Sequence, residues 1–210
     1  MAPKTRIFCD ILASRADDEE LNAELDKADI RVSIADVEQV LRFSYAHPRA
    51  AAAFFRWAGY RYLGHEHSPY SWNLLVDILG KNRLFEPMWD TVKSMQSQQL
   101  LSLATFASIF SSLAATPGGS PLKAFMDMPR YGMTRDTAAL NSLLSALCRA
   151  NRFDDARAAI PVAALRLARA RMPTPTPSSS RAARPPPTCG LRARCSTKWC
   201  RPLDFILTTC

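Results

Sequence analysis

An all-α fold, an α-solenoid of stacked antiparallel helical hairpins, is what this 210-residue sequence predicts, and three observations carry it. The first is a period. Around Trp72-Asn73, Phe106-Ala107 and Leu140-Asn141 the same short text returns every 34 residues. The second is a stripe. Trp72, Phe106 and Leu140 align, as do Leu75, Ile109 and Leu143, then Val76, Phe110 and Leu144, then Leu79, Leu113 and Leu147. Apolar columns at i, i+3, i+4 and i+7 are the buried face of an amphipathic helix. A helix-length unit with one such face cannot bury it alone and must stack on its neighbours. The third is a change of composition near residue 160, beyond which the stripe stops.

The elements follow in order. Residues 1–16 are basic with scattered apolar positions, Asp10 being the one acid, and they run into Asp17-Asp18-Glu19-Glu20. That segment reads either as a short transit-like leader or as an ordinary first helix. Ser33 with Asp36 three residues on gives a capping-box start to a helix whose apolar face is Val37, Val40 and Leu41. Pro48 opens a second helix. Phe54, Phe55, Trp57, Ala58 and Tyr62 give it an aromatic face, and Gly64 is expected to end it. This pair forms a hairpin that covers the open end of the stack.

The first clear repeat has its leading helix from near Pro69 to about Lys81 and its second from about Leu84 to Ser97, with Pro87 tolerated in the first turn. The second repeat starts near Leu103, turns at Thr116-Pro117-Gly118-Gly119 and closes on Gly132 as C-cap. The third starts near Thr137 and turns at Asn151, and Asp154-Asp155 place acids at the start of its second helix. The domains are thus a leader at 1–32, a degenerate hairpin at 33–68, repeats at 69–102, 103–136 and 137–160 (partial), and a tail at 161–210.

Charge is divided in the same way. Residues 1–160 hold 18 Lys+Arg against 18 Asp+Glu, so the net +8 lies wholly in the tail, which has nine basic residues and Asp204. The tail also holds 8 of the 15 prolines and four of the six cysteines, a composition that reads as disordered. Cys189, Cys195, Cys200 and Cys210 contain no C-x₂-C pair, so the spacing is not that of a zinc site. His65-Glu66-His67 lacks a third ligand nearby. No run approaches the roughly 18 to 20 apolar residues that span a bilayer, so neither a membrane nor a cofactor is expected. With no phosphate loop, nucleophile elbow or deaminase signature, the chain is not expected to be an enzyme or to take a small-molecule substrate.

The text TAALNSLLSALCRANRFDDARAAI (137–160) resembles the opening of a pentatricopeptide repeat (PPR), with Asn141, Leu143, Leu147, Cys148, Arg152, Asp154 and Ala156 in register. Residues 70–95 resemble it too, and DMPRYGMTRD (127–136) is similar to the family's repeat ending. Residues 37–59 look like the degenerate hairpin that precedes the array in plant organellar members. The resemblance implies a helical solenoid that binds single-stranded RNA, one base per repeat. It implies a role in organellar RNA processing, stability or translation, in the mitochondrion or alternatively the chloroplast.

In that family the residue after the leading aromatic and the last residue of the repeat jointly read a base. Carried over, the pairs are Asn73 with Ser102 and Ala107 with Asp136, while Asn141 has no recognisable partner. The first pair leans by analogy to a pyrimidine, cytosine before uracil, and Ala107, having no hydrogen-bonding group, discriminates poorly. The base clamps are Tyr70, Ala104 and Ala138, two of them thin. The plainer reading makes Asn73 and Asn141 helix-start residues bonded to backbone. Trp57, Trp72, Trp89 and Phe106 are read as core.

Two other functional readings stand beside RNA binding. One is a helical scaffold with protein partners. The other is a truncated product of little activity, because the tail's bias resembles a GC-rich coding region read in a shifted frame. Its short array is expected to be marginally stable or to need a partner.

Overall fold

The computed structural model describes residues 3–14, 18–64 and 66–161, and among them every regular element is helical. The tail, its disorder and its four cysteines lie outside the described residues, as does His65.

The helices are α1 (Pro3–Ser14), α2 (Asp18–Ala28), α3 (Ile34–Phe43), α4 (Pro48–Arg61), α5 (Pro69–Lys81), α6 (Phe85–Ser97), α7 (Leu103–Ala114), α8 (Pro121–Asp127) and α9 (Thr137–Arg149). A 3₁₀ turn, Met128–Tyr131, prolongs α8. Residues 153–161 form a further helix, α10. Consecutive helices pair as hairpins, and the odd-numbered members also pack on one another in the order α1, α3, α5, α7, α9. That gives two layers, odd and even, with the core between them.

Sequence chemistry sets the boundaries. Ser33 caps α3 in a full capping box, its backbone N–H donating to Asp36 at 3.0 Å and its hydroxyl accepting from the Asp36 N–H at 3.3 Å. Ser68, Ser120 and Asp136 cap α5, α8 and α9, and Pro48, Pro69 and Pro121 occupy first turns where no N–H is needed. Each repeat turns through one residue at positive φ, Arg83 at 60° and Asn151 at 56° among them. Gly132, at φ 77°, is the left-handed cap expected after α8.

The predicted columns are the core. Trp72, Phe106 and Leu140 are buried, as are the next two columns, and only Leu113 is half-buried. Gly80 lets α5 and α7 approach closely, since a Cβ there would stand 2.4 Å from Ser112 Oγ.

Three expectations change. Residues 1–32, read as a leader with an ordinary first helix as the alternative, contain the α1–α2 hairpin, which packs on α3 and α4 and buries Phe8, Leu12, Leu21 and Leu25. The 33–68 hairpin is therefore not the end of the described stack. Its second helix ends at Arg61 rather than at Gly64, because the Tyr62 and Leu63 N–H groups both close on Ala58 O, and Gly64 lies in the following turn at φ 55°. Trp89 is only half-buried and stacks on Tyr131 at 5.5 Å, joining the first and second repeats in the even layer.

Candidate nucleic-acid interface

The odd layer carries a register that its N-caps define. Counting from Ser33, Ser68, Ser102 and Asp136, the fifth residue inward is Glu38, Asn73, Ala107 and Asn141. The second residue inward is Ala35, Tyr70, Ala104 and Ala138, all exposed. Positions two and five are three apart, so they share one helix face. Every candidate residue therefore lies at one edge of one layer.

Asn73 and Ser102 are brought together by a residue the sequence reading did not single out. Thr105, fully buried, donates its hydroxyl proton to Asn73 Oδ1 at 2.6 Å. The Thr105 hydroxyl oxygen itself accepts from the Ser102 backbone N–H at 3.4 Å and stands 3.3 Å from Ser102 Oγ. Asn73 is thus tied to the next repeat, and the backbone-capping reading fails: it lies a full turn inside α5, whose cap is Ser68. Asn141 lies equally far inside α9, capped by Asp136, and is exposed.

The second pair is not brought together. Ala107 offers no polar atom, and Asp136 turns its carboxylate back to its own helix, accepting from the Ala139 N–H at 2.7 Å. The third candidate, Asn141, meets no following repeat among the described residues.

A further pair emerges in the preceding hairpin. Ser68 donates to Glu38 Oε1 at 2.6 Å while Ser71 lies 2.9 Å from the Ser68 oxygen. The signal that finds Glu38 is the constant count of five from a capping residue, which needs Ser33 to be recognised as the cap. Thr105 is legible as the third residue after the cap Ser102, but its reach to Asn73 is not.

The face is charged on one side. Arg42, four residues beyond Glu38, donates to Tyr70 Oη at 3.0 Å and lies 5.3 Å from the ring centre. Tyr70 thus remains exposed but is held in place. Tyr45 donates to Asp77 at 2.6 Å, and Lys81 pairs with the same carboxylate at 2.7 Å while covering the Tyr45 ring at 4.9 Å. Burial, and then the bond to Asp77, push the Tyr45 phenol above its ordinary range. His67 is buried, stacked 3.6 Å from Phe55, where it leaves no room for a side chain on Gly59.

Comparison with known proteins decides what this register is. The family model described as PPR repeat matches residues 70–100 and 138–159. The chain carries pentatricopeptide repeats. The matched PPR segments contain Asn73 and Asn141. A pentatricopeptide repeat-containing protein of Arabidopsis thaliana, named as mitochondrial, is 35% identical over 154 residues, covering 70% of this chain and 27% of the relative. Two others from the same plant, also named as mitochondrial, are each 30% identical over 130 residues. They cover 61% and 60% of this chain and 25% of each relative. The chain therefore spans about a quarter of the length of the curated relatives it matches. PPR proteins are generally RNA-binding proteins of organelles and typically not enzymes.

Proposed function

We propose that this PPR chain binds single-stranded RNA along the exposed edge of the odd layer, one base per repeat. Asn73 with Ser102, Ala107 with Asp136, and Asn141 are its reading positions, and Tyr70, Ala104 and Ala138 flank the bases. Glu38 with Ser68 adds a position upstream. The observation that carries the reading is the meeting of Asn73 and Ser102 on one buried hydroxyl beside an exposed, fixed Tyr70. An amide and a hydroxyl so placed form a small, rigid patch of donors and acceptors on which a base edge can be read. The setting is mitochondrial RNA processing, stability or translation. The location given in the relatives' names supports the mitochondrion over the chloroplast.

Fluorescence anisotropy with labelled oligo(rC), oligo(rU) and oligo(rA) tests it. Saturable binding that Asn73→Ala weakens by about tenfold is expected, the loss corresponding to one base contact. Binding that is absent, or unchanged when Asn73 and Asn141 are both replaced by Ala, removes the assignment.

A second reading, a protein-binding scaffold, is favoured by a groove in the even layer. Between α4 and α6 a cavity of about 700 Å³ is floored by Phe55, Trp72, Leu75 and Leu79 and rimmed by Arg56 and Asp90. If the RNA assay fails, that groove is the surface to test.

A further inference from the structure

We propose that Thr105 is a specificity-determining positioning residue: by fixing which end of the Asn73 amide faces outward, it sets how well the first repeat discriminates between bases. The inference rests on the RNA-reading role proposed for Asn73 and adds a residue outside the reading pairs.

The argument is one of donors and acceptors. The Thr105 hydroxyl has one proton to give and two lone pairs to fill. A backbone N–H can only donate, so the Ser102 N–H occupies one lone pair at 3.4 Å. The contact to Asn73 is 2.6 Å, a length ordinary for O–H···O and short for N–H···O. The hydroxyl proton therefore goes to Asn73, and the amide end it meets is the oxygen. Ser102 Oγ, at 3.3 Å, is then left to donate into the second lone pair.

Every valence of a fully buried hydroxyl is used, and both partners are fixed in consequence. Asn73 presents its N–H₂ outward as a donor, and Ser102 presents oxygen lone pairs. Without the hydroxyl, the amide can turn over and present oxygen or nitrogen at similar cost. A site that offers either polarity tells bases apart poorly.

In the neighbouring junctions the arrangement is altered in one and absent in the other. In the register of Thr105 stand Ser71 and Ala139. Ser71, also fully buried, contacts Ser68, whose own proton goes to Glu38. Ala139 has no hydroxyl, and it accompanies Ala107, which has no amide to orient.

The test compares the full chain with Thr105→Val, Thr105→Ser, Asn73→Asp and Asn73→Ala, measuring the dissociation constants for oligo(rC), oligo(rU) and oligo(rA) and a thermal melt for each. Thr105→Val preserves shape and removes the hydroxyl. It is expected to shrink the spread between the three oligonucleotides by about tenfold, the scale of one base-edge contact, and Thr105→Ser is expected to restore the spread. Asn73→Asp keeps the oxygen that Thr105 needs and replaces the outward donor by an acceptor, so it is expected to change the order of preference. It carries the test if Thr105→Val does not fold. An unchanged spread in Thr105→Val, or an unchanged order in Asn73→Asp, overturns the inference while Asn73→Ala still weakens binding. If Asn73→Ala has no effect, or the wild-type chain binds all three oligonucleotides equally, the RNA-reading assignment falls and this inference with it.

Discussion

The junction of α5 with α7 and the junction of α7 with α9 share a backbone register and differ in chemistry. At the first, Asn73, Thr105 and Ser102 form a bonded chain beside Tyr70. At the second, the equivalent positions are Ala107, Ala139 and Asp136, with Ala104 in the place of Tyr70, and the carboxylate turns to its own helix. The stacking is common to both because the apolar columns are common to both. What differs is a handful of polar side chains outside those columns. A helical repeat can therefore keep its fold while its polar edge changes one residue at a time.

The largest perturbation should erase the comparison by removing the shared scaffold. Phe106 is fully buried and touches Phe110 and Tyr131. Phe106→Ala is expected to cost about 3–5 kcal/mol, read as a loss of denaturation midpoint, and to abolish RNA binding at both junctions together.

A smaller change should separate them. Arg152 donates to Gly119 O at 2.9 Å and to Leu113 O and Ala114 O at 3.5 Å, and it pairs with Asp155 at 2.6 Å. It ties the third repeat's turn to the C-terminal carbonyls of α7, where a cation is favourable. In the first repeat Asn82 does the equivalent work, donating to Tyr45 O at 2.9 Å. Arg152→Ala is expected to cost roughly 2 kcal/mol. Amide hydrogen exchange should rise in α9 and stay unchanged in α3 and α5; uniform acceleration would mean that Arg152 holds the whole stack.

The comparison sharpens if the second junction is given what it lacks. Ala107→Asn with Ala139→Thr rebuilds the amide and the buried hydroxyl in register, and is expected to tighten binding to at least one of the three oligonucleotides by several-fold, each well-formed base contact being worth roughly 1–3 kcal/mol. The same pair of changes should leave the melting temperature within a few degrees. If the extra threonine overpacks α9, the melt will show it.

The smallest effect is expected from pH. The Tyr45 phenol is pushed up in the folded chain by burial and by Asp77, so folding favours its neutral form. The stabilisation is complete below the unfolded tyrosine value of about 10. It is lost as pH rises above that value towards the higher folded one. Tyr45→Phe should flatten this alkaline dependence of the melting temperature, and an unaltered slope would assign it to other groups.

Much of this was legible in the sequence. The period and stripe located α5, α7 and α9, because burial of an apolar face repeats wherever the unit repeats. Ser33, Pro48, Pro69 and Gly132 located boundaries, since capping and φ restrictions are local to a few residues. The α1–α2 hairpin was less legible: its apolar positions, Phe8, Leu12, Leu21 and Leu25, follow no 34-residue register. The candidate pair Asn73 and Ser102 was accessible only through family resemblance, and Glu38 was missed because its hairpin is degenerate.

What the sequence determined alone is the helical stack, since periodic burial depends on residue type and spacing and hardly on partner identity. The tertiary structure decided which polar groups meet. Thr105 reaches Asn73 rather than solvent because α5 and α7 pack side by side, and Gly80 permits that approach. Hydrogen bonds depend on tenths of an ångström and on the direction of a single proton, and only the packed helices fix either.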